Sequence, residues 1–216
     1  MLDNKIFVTG KAGSGKNYVI NIIREIEPRF KIVKIAEPLY HLIALVKRDC
    51  LNDAVEMLKR IGFKEYTARN IVIDVIENID YNSLYLEKPR QPLQVAGDVI
   101  RKYDKNILIQ YAYLQAICID KVIIEDVRLV KEADYFISKG FEGIKVCAND
   151  DTRLKRLKAR DGSYNKKDLL HNTELEIDLI DDLIIVENNG STTKEEIMNQ
   201  LSKKNIHVDR GLTWML

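Results

Sequence analysis

The feature that most constrains this chain is a seven-residue string, Gly10-Lys11-Ala12-Gly13-Ser14-Gly15-Lys16, set between a β-rich run and a helical stripe. Lys5-Ile6-Phe7-Val8-Thr9 precedes it; after it Val19, Ile20, Ile22, Ile23 and Ile26 recur at helical spacing until Pro28. The string matches G-x-x-x-x-G-K in the context its mechanism requires. Glycines let backbone N–H groups turn inward around phosphate oxygens, the helix start adds partial positive charge, and Lys16 reaches the outer phosphates. A plain Gly-rich turn does not explain a lysine directly after the last glycine. Lys11, Ala12, Gly13, Ser14, Gly15, Lys16 and Asn17 are therefore the expected phosphate-binding residues. Asn17 stands where Ser or Thr usually offers a hydroxyl to Mg²⁺.

The rest of the chain alternates strands with helices, which predicts a parallel sheet with crossover connections. Strands are expected at residues 31–36, 122–125, 144–147 and 183–186. Helical patterns fill the long interval between the second and third strands: Leu39, Leu42, Ile43 and Val46; Val55, Leu58 and Ile61; residues 71–79. Pro89 and Pro92 then precede a helix carrying Leu93, Ala96 and Ile100. Another helix holds Val130, Ala133, Phe136 and Ile137, and Gly140 and Gly143 lead into the fourth strand. Asn188-Asn189-Gly190 makes a turn, and Thr193-x-x-Glu196 is a capping box opening a last helix.

Lys121-Val122-Ile123-Ile124-Glu125-Asp126-Val127-Arg128 puts carboxylates at the C-terminal end of a buried strand, where open α/β sheets bind ligands. Asp126 is the expected organiser of Mg²⁺, directly or through water. Arg128, two residues on, suits an acceptor phosphate held bidentately. Asn165-Lys166-Lys167-Asp168 spells a guanine-specificity string, but it follows a loop rather than a buried strand, and the chain contains no D-x-x-G. It reads as a coincidence in a charged loop. Arg153, Arg156 and Arg160 fall at i, i+3 and i+7 on one helical face. Beside a phosphate site they would close over a triphosphate and neutralise charge on the transferred group; the plainer alternatives are a solvated basic helix or a nucleic-acid patch.

Composition excludes several classes. Of 216 residues, 34 are Lys or Arg and 33 Asp or Glu, a net charge of +1, which argues against a protein that coats nucleic acid or anionic lipid. With 46% hydrophobic and 31% charged residues the chain reads as globular. The longest uncharged stretch, residues 106–119, is too short to span a bilayer, and the first residues lack a signal-peptide pattern. Cys50, Cys118 and Cys147 are odd in number and widely spaced, which fits a reducing cytosol.

With these residues in place, the chain resembles the phage-type deoxynucleoside monophosphate kinases of the P-loop kinase superfamily over most of its length. Beyond the phosphate loop the resemblance includes Ile35-Ala36-Glu37-Pro38-Leu39 and Leu93-Gln94-Val95-Ala96-Gly97-Asp98-Val99-Ile100-Arg101. It also includes Glu125-Asp126-Val127-Arg128 with Glu132 and Ala133, then His171-Asn172-Thr173-Glu174, and the late Asn188-Asn189-Gly190 turn. The chain departs at Asn17-Tyr18, where the family often has an acidic residue then Thr, and at residues 127–130, where an aromatic and a Pro are common.

The resemblance implies an α/β P-loop kinase fold: a parallel sheet of about five strands flanked by helices. The single domain would have a core of residues 1–36, 121–149 and 180–216, a helical acceptor-binding insertion of 37–120 and a basic lid of 150–179. It implies a cytoplasmic, ATP- and Mg²⁺-dependent transferase acting on a (deoxy)nucleoside monophosphate, without nucleic-acid or membrane partners and with a homodimer left open. Lys16, Asp126, Arg128, Arg153 and Arg156 would be catalytic; Asn189 and Gly190 would join the loop at ATP; Gln94, Arg101, Arg128, His171 and Glu174 would hold the acceptor. Tyr40, Tyr66 and Tyr81 read as packing residues before base-stacking ones, and His41 and His207 carry no role. Two alternatives stay open: a kinase of another small phosphorylated acceptor, such as phosphomevalonate or dephospho-coenzyme A, and a nucleotide-binding protein without turnover.

Overall fold

The computed structural model of the protein describes residues 2–86, 89–161 and 170–202. Five strands form one sheet: β1 (Lys5–Thr9), β2 (Lys31–Lys34), β3 (Val122–Glu125), β4 (Glu142–Cys147) and β5 (Ile184–Glu187). Their order is β2-β3-β1-β4-β5, and every pairing is parallel. The expected α/β class, a parallel sheet of about five strands flanked by helices, is what the chain adopts.

Helix α1 (Lys16–Ile26) follows the loop after β1. Between β2 and β3 the chain is helical: α2 (Glu37–Lys47), α3 (Leu51–Ile61), α4 (Glu65–Asn78), α5 (Tyr81–Leu84), α6 (Arg90–Tyr103) and α7 (Ile107–Ala116). Then come α8 (Val130–Ser138) after β3, α9 (Asp150–Asp161) after β4, and the short α10 (Asn172–Leu175), which runs into a 3-10 turn, Glu176–Leu179. Helix α11 (Lys194–Ser202) ends the described chain, opened by the reciprocal Thr193–Glu196 box expected from the sequence.

Alternation along the strands splits the core in two. Phe7, Val33 and Ile124 face the insertion and pack with Leu42, Leu58, Ile71, Ile100 and Phe136. Ile6, Val8, Ile123 and Ile144 face the other way, onto Val19, Ile22 and Ile23 of α1 and Ile197 and Leu201 of α11. The helices between β2 and β3 thus share one apolar core with a sheet face. No described helix is long and apolar enough to cross a membrane.

Some boundaries differ from the sequence reading. Strand β2 ends at Lys34, because Ile35 and Ala36 already lead into α2. Pro92 lies inside the first turn of α6, where an amide proton would have no intrahelical partner, so the ring is tolerated. Gly143 is within β4 and not ahead of it: a Cβ there would meet Leu183 Cδ2 at 2.2 Å and Phe7 Cζ at 2.5 Å, so only glycine fits. Strand β5 is shifted by one residue, to Ile184–Glu187. The Asn165–Asp168 string and His207 lie outside the described residues.

Candidate active site

The loop from Gly10 to Lys16 closes over the C-terminal edge of the sheet and enters α1 through Gly15, whose φ of 89° is left-handed. Its outer side is fastened by α9 and by the loop after β5. Arg153, 8% exposed, donates from Nε to the Ala12 carbonyl at 3.0 Å and from Nη1 to Asp150 at 2.6 Å. Arg156 Nη1 donates to the carbonyls of Ser14 (3.1 Å), Gly13 (3.3 Å) and Asn188 (2.9 Å). Asn188 Nδ2 donates to Ser14 O at 2.9 Å. The packing is close: a Cβ on Gly13 would lie 2.6 Å from Arg153 O, and one on Gly15 would lie 2.2 Å from Asn188 Nδ2.

That fastening orients the loop. In a trans peptide the carbonyl of one residue and the N–H of the next point in opposite directions. Binding the Ala12 and Ser14 carbonyls on the α9 side therefore turns the Gly13 and Gly15 N–H groups toward the opposite side. Lys16, 8% exposed, donates from Nζ to Gly10 O at 2.6 Å. The Ser14 and Thr9 hydroxyls are buried without a hydrogen-bond partner.

The exit of β3 supplies the second half of the site. Asp126 takes a left-handed φ of 68°, uncommon for a residue with a side chain, and this turns the chain sharply after the strand. Glu125, 5% exposed, lies 3.5 Å from Lys34 Nζ. Burial, with Asp126 adding, pushes its carboxyl above the ordinary value. Arg128 binds Glu174 through Nη1 and lies 3.9 Å from Asp126. Burial opposes charge on both partners, yet each outweighs it for the other. Glu174 is held below the usual carboxylate range by Arg128, the Ala12 N–H and Lys16, and Arg128 is raised by Glu174 and Asp126. Glu132, 1% exposed, accepts the N–H groups of Arg128 (2.9 Å) and Leu129 (3.2 Å), so it caps α8. Its other oxygen accepts from Arg101 Nη2 at 3.2 Å.

Two cavities adjoin here. One is lined by Gly13, Gly15, Lys16, Asn17, Lys34, Glu125, Arg156 and Arg160. The other is lined by Ile35, Leu39, Leu93, Gln94, Arg101, Thr173 and Glu174. Tyr40, Arg90, Asp126 and Arg128 line both. Burial, with Asp126 adding, raises the Tyr40 phenol.

The sequence-derived residues therefore fall into several groups. Ala12, Gly13, Gly15, Lys16, Asn17, Asp126, Arg128 and Arg156 come together on the first cavity; Gln94, Arg101, Arg128 and Glu174 come together on the second. Lys11 instead pairs with Asp178 at 2.5 Å, on the far side of the loop. Arg153 is spent on Ala12 and Asp150. His171 lines neither cavity; it caps α10 and places Nε2 3.0 Å from Asp98 Oδ2 on α6. Asn189 holds the Asn149 N–H at 2.8 Å, and Gly190 sits 3.7 Å, by its notional Cβ, from Thr152 Oγ1. Asn188 is the turn residue that reaches the loop, and no local pattern separates it from Asn189. Glu132 signals itself only as an acidic residue in a helix's first turn.

No protein-family model matches the chain, and neither does any curated protein. Among solved structures it is similar to TT1252 from Thermus thermophilus, at 20% identity over 94% of this chain and 96% of that one, with a TM-score of 0.49. It is also similar to an unliganded sugar kinase from Janibacter sp. HTCC2649, at 11% identity over 91% and 90% of the two chains, with a TM-score of 0.43. At these scores the similarity is loose and carries no functional weight; the geometry of the site does.

Proposed function

We propose that this protein transfers the γ-phosphoryl group of ATP to a (deoxy)nucleoside monophosphate, giving the diphosphate. The observation that carries the reading is the pair of adjoining cavities that share Tyr40, Arg90, Asp126 and Arg128. In-line transfer to a second substrate requires donor and acceptor to meet at one point from two sides, and a hydrolase needs no second cavity of that kind.

In this reading the Gly13 and Gly15 N–H groups and Lys16 hold the outer phosphates of ATP. Arg156 and Arg160 line the same cavity and offset charge that grows on the transferred group. Arg128 and Arg101 hold the acceptor phosphate, while Ile35, Leu39 and Leu93 cover an apolar ring and Gln94 meets its polar edge. Magnesium takes one or two protein carboxylates beside phosphates and keeps several waters. Adjacent Glu125 and Asp126 fit that donor set, and among the described residues no group of three or more His, Cys, Asp or Glu is placed to hold a metal unaided. Bound there, the ion would neutralise phosphate charge. Asn17, exposed at the start of α1, offers a carbonyl where a hydroxyl is usual.

A coupled ADP-release assay over ribo- and deoxyribonucleoside monophosphates, with phosphomevalonate and dephospho-coenzyme A alongside, tests the proposal. ADP release that depends on a nucleoside monophosphate is expected. Release with only one of the other acceptors would move the chain to a different kinase specificity. ATP binding without release in any mixture would leave a nucleotide-binding protein.

A further inference from the structure

We propose that Glu174 is a positioning residue that ties the phosphate loop to the acceptor arginine, so that one buried carboxylate sets both phosphate sites. The proposal rests on the reading that Arg128 serves the acceptor. Glu174 is 2% exposed, and its two oxygens face two different parts of the site. Oε2 accepts the Ala12 N–H of the loop at 2.7 Å, and Oε1 accepts from Arg128 Nη1. A carboxylate so committed repels a phosphate, so it acts on the acceptor through the guanidinium it holds and not by contact. The element that carries it is itself anchored: His171, at the start of α10, reaches Asp98 on α6, the helix of Gln94 and Arg101. Loop, acceptor arginine and acceptor helix are thus joined through one short segment.

The test is a two-residue cycle of Glu174→Gln, Arg128→Ala and the double variant. Calorimetry would be run with a non-hydrolysable ATP analogue and with deoxynucleoside monophosphates. Glu174→Gln is expected to weaken the monophosphate about tenfold and the ATP analogue by about three- to tenfold. In the Arg128→Ala background the same change should weaken the ATP analogue alone. A further loss of monophosphate affinity in that background would make Glu174 a direct contact, and no loss of either ligand in the single variant would remove its role. Should Glu174→Gln not fold, Glu174→Asp keeps the charge but is one methylene too short to serve both partners, and the same pattern is expected. Amide exchange at Ala12 supplies a readout free of the acceptor's identity: faster exchange in Arg128→Ala is expected, and unchanged exchange overturns the tie. If wild type binds the ATP analogue but no monophosphate, the acceptor reading fails, and the exchange result alone judges the tie.

Discussion

The arginines on the two sides of the phosphate loop are held by different kinds of partner. On the side of the proposed acceptor cavity, Arg128 and Arg101 are each set by a buried glutamate, Glu174 and Glu132. On the α9 side, Arg156 is set by backbone carbonyls, and Arg153 by a carbonyl and the exposed Asp150. A carboxylate cancels the charge it positions; a carbonyl positions the guanidinium and leaves its charge uncancelled. The Arg128–Arg101 side is thus geometrically fixed but nearly neutral, which would suit an acceptor that must arrive and leave. The α9 side keeps excess positive charge over the loop, where a polyphosphate and a charge-rich transition state would sit.

The contrast breaks first at Arg128. Arg128→Ala leaves Glu174 buried without the cation it binds, and losing one partner of a buried pair costs about 3 kcal/mol, the low end of the usual range because Arg128 is partly exposed. Urea unfolding reads this. The same variant should weaken a deoxynucleoside monophosphate by about ten- to a hundredfold and leave ATP affinity nearly unchanged. A loss under about 1 kcal/mol would mean that the carboxylate is solvated once the arginine is gone, and the two sides would then be alike.

Arg156→Ala probes the other side and should do less to the fold. Arg156 is only half-buried and borders a cavity, so water can follow it to the carbonyls of Gly13, Ser14 and Asn188 at a cost of about 1 kcal/mol. Turnover should fall by about tenfold or more while ATP half-saturation changes little, since charge neutralisation matters most during transfer. A variant that changed only the half-saturation would show uniform binding, and the excess charge would serve the ground state alone.

Much of this arrangement was legible in the chain, because the readable parts are local. The G-x-x-x-x-G-K string, the apolar run of β3 and its acidic end, and the Thr193–Glu196 box each lie within a few residues. What could not be read are the partners. Glu174 meets Ala12 across 162 positions and Arg128 across 46, and Arg156 meets Ser14 across 142. Only the tertiary fold decides such pairings. Arg153 and Arg156 illustrate the limit: helical spacing placed them on one face, but nothing in it reveals that Arg153 is consumed by Ala12 and Asp150 while Arg156 borders the cavity. Asn188 and Asn189 are the same case at shorter range, since their alternation depends on how the chain leaves β5.

The smallest expected effect comes from the two glutamates on either side of Asp126 and Arg128, which are about equally buried and oppositely shifted. Glu125 has a weak partner, so burial dominates and its folded carboxyl keeps a proton to higher pH than the unfolded chain does. As pH rises past the unfolded carboxyl value, about 4.3, the unfolded state ionises first, and stability falls until the folded group ionises too. Glu174 runs the other way: its contribution is present above the unfolded value and is lost as pH falls through its lower folded value. Urea unfolding at stepped pH, with each glutamate replaced by glutamine, separates them. Glu125→Gln should gain on wild type more at about pH 7 than at about pH 4, and Glu174→Gln should lose more at about pH 7 than at about pH 3. Parallel profiles for wild type and Glu125→Gln would mean that Lys34, 3.5 Å away, offsets the burial, so that this carboxyl ionises as it does in the unfolded chain. The β3 exit would then carry a settled negative charge at neutral pH in place of one that titrates easily when a cation or phosphate arrives.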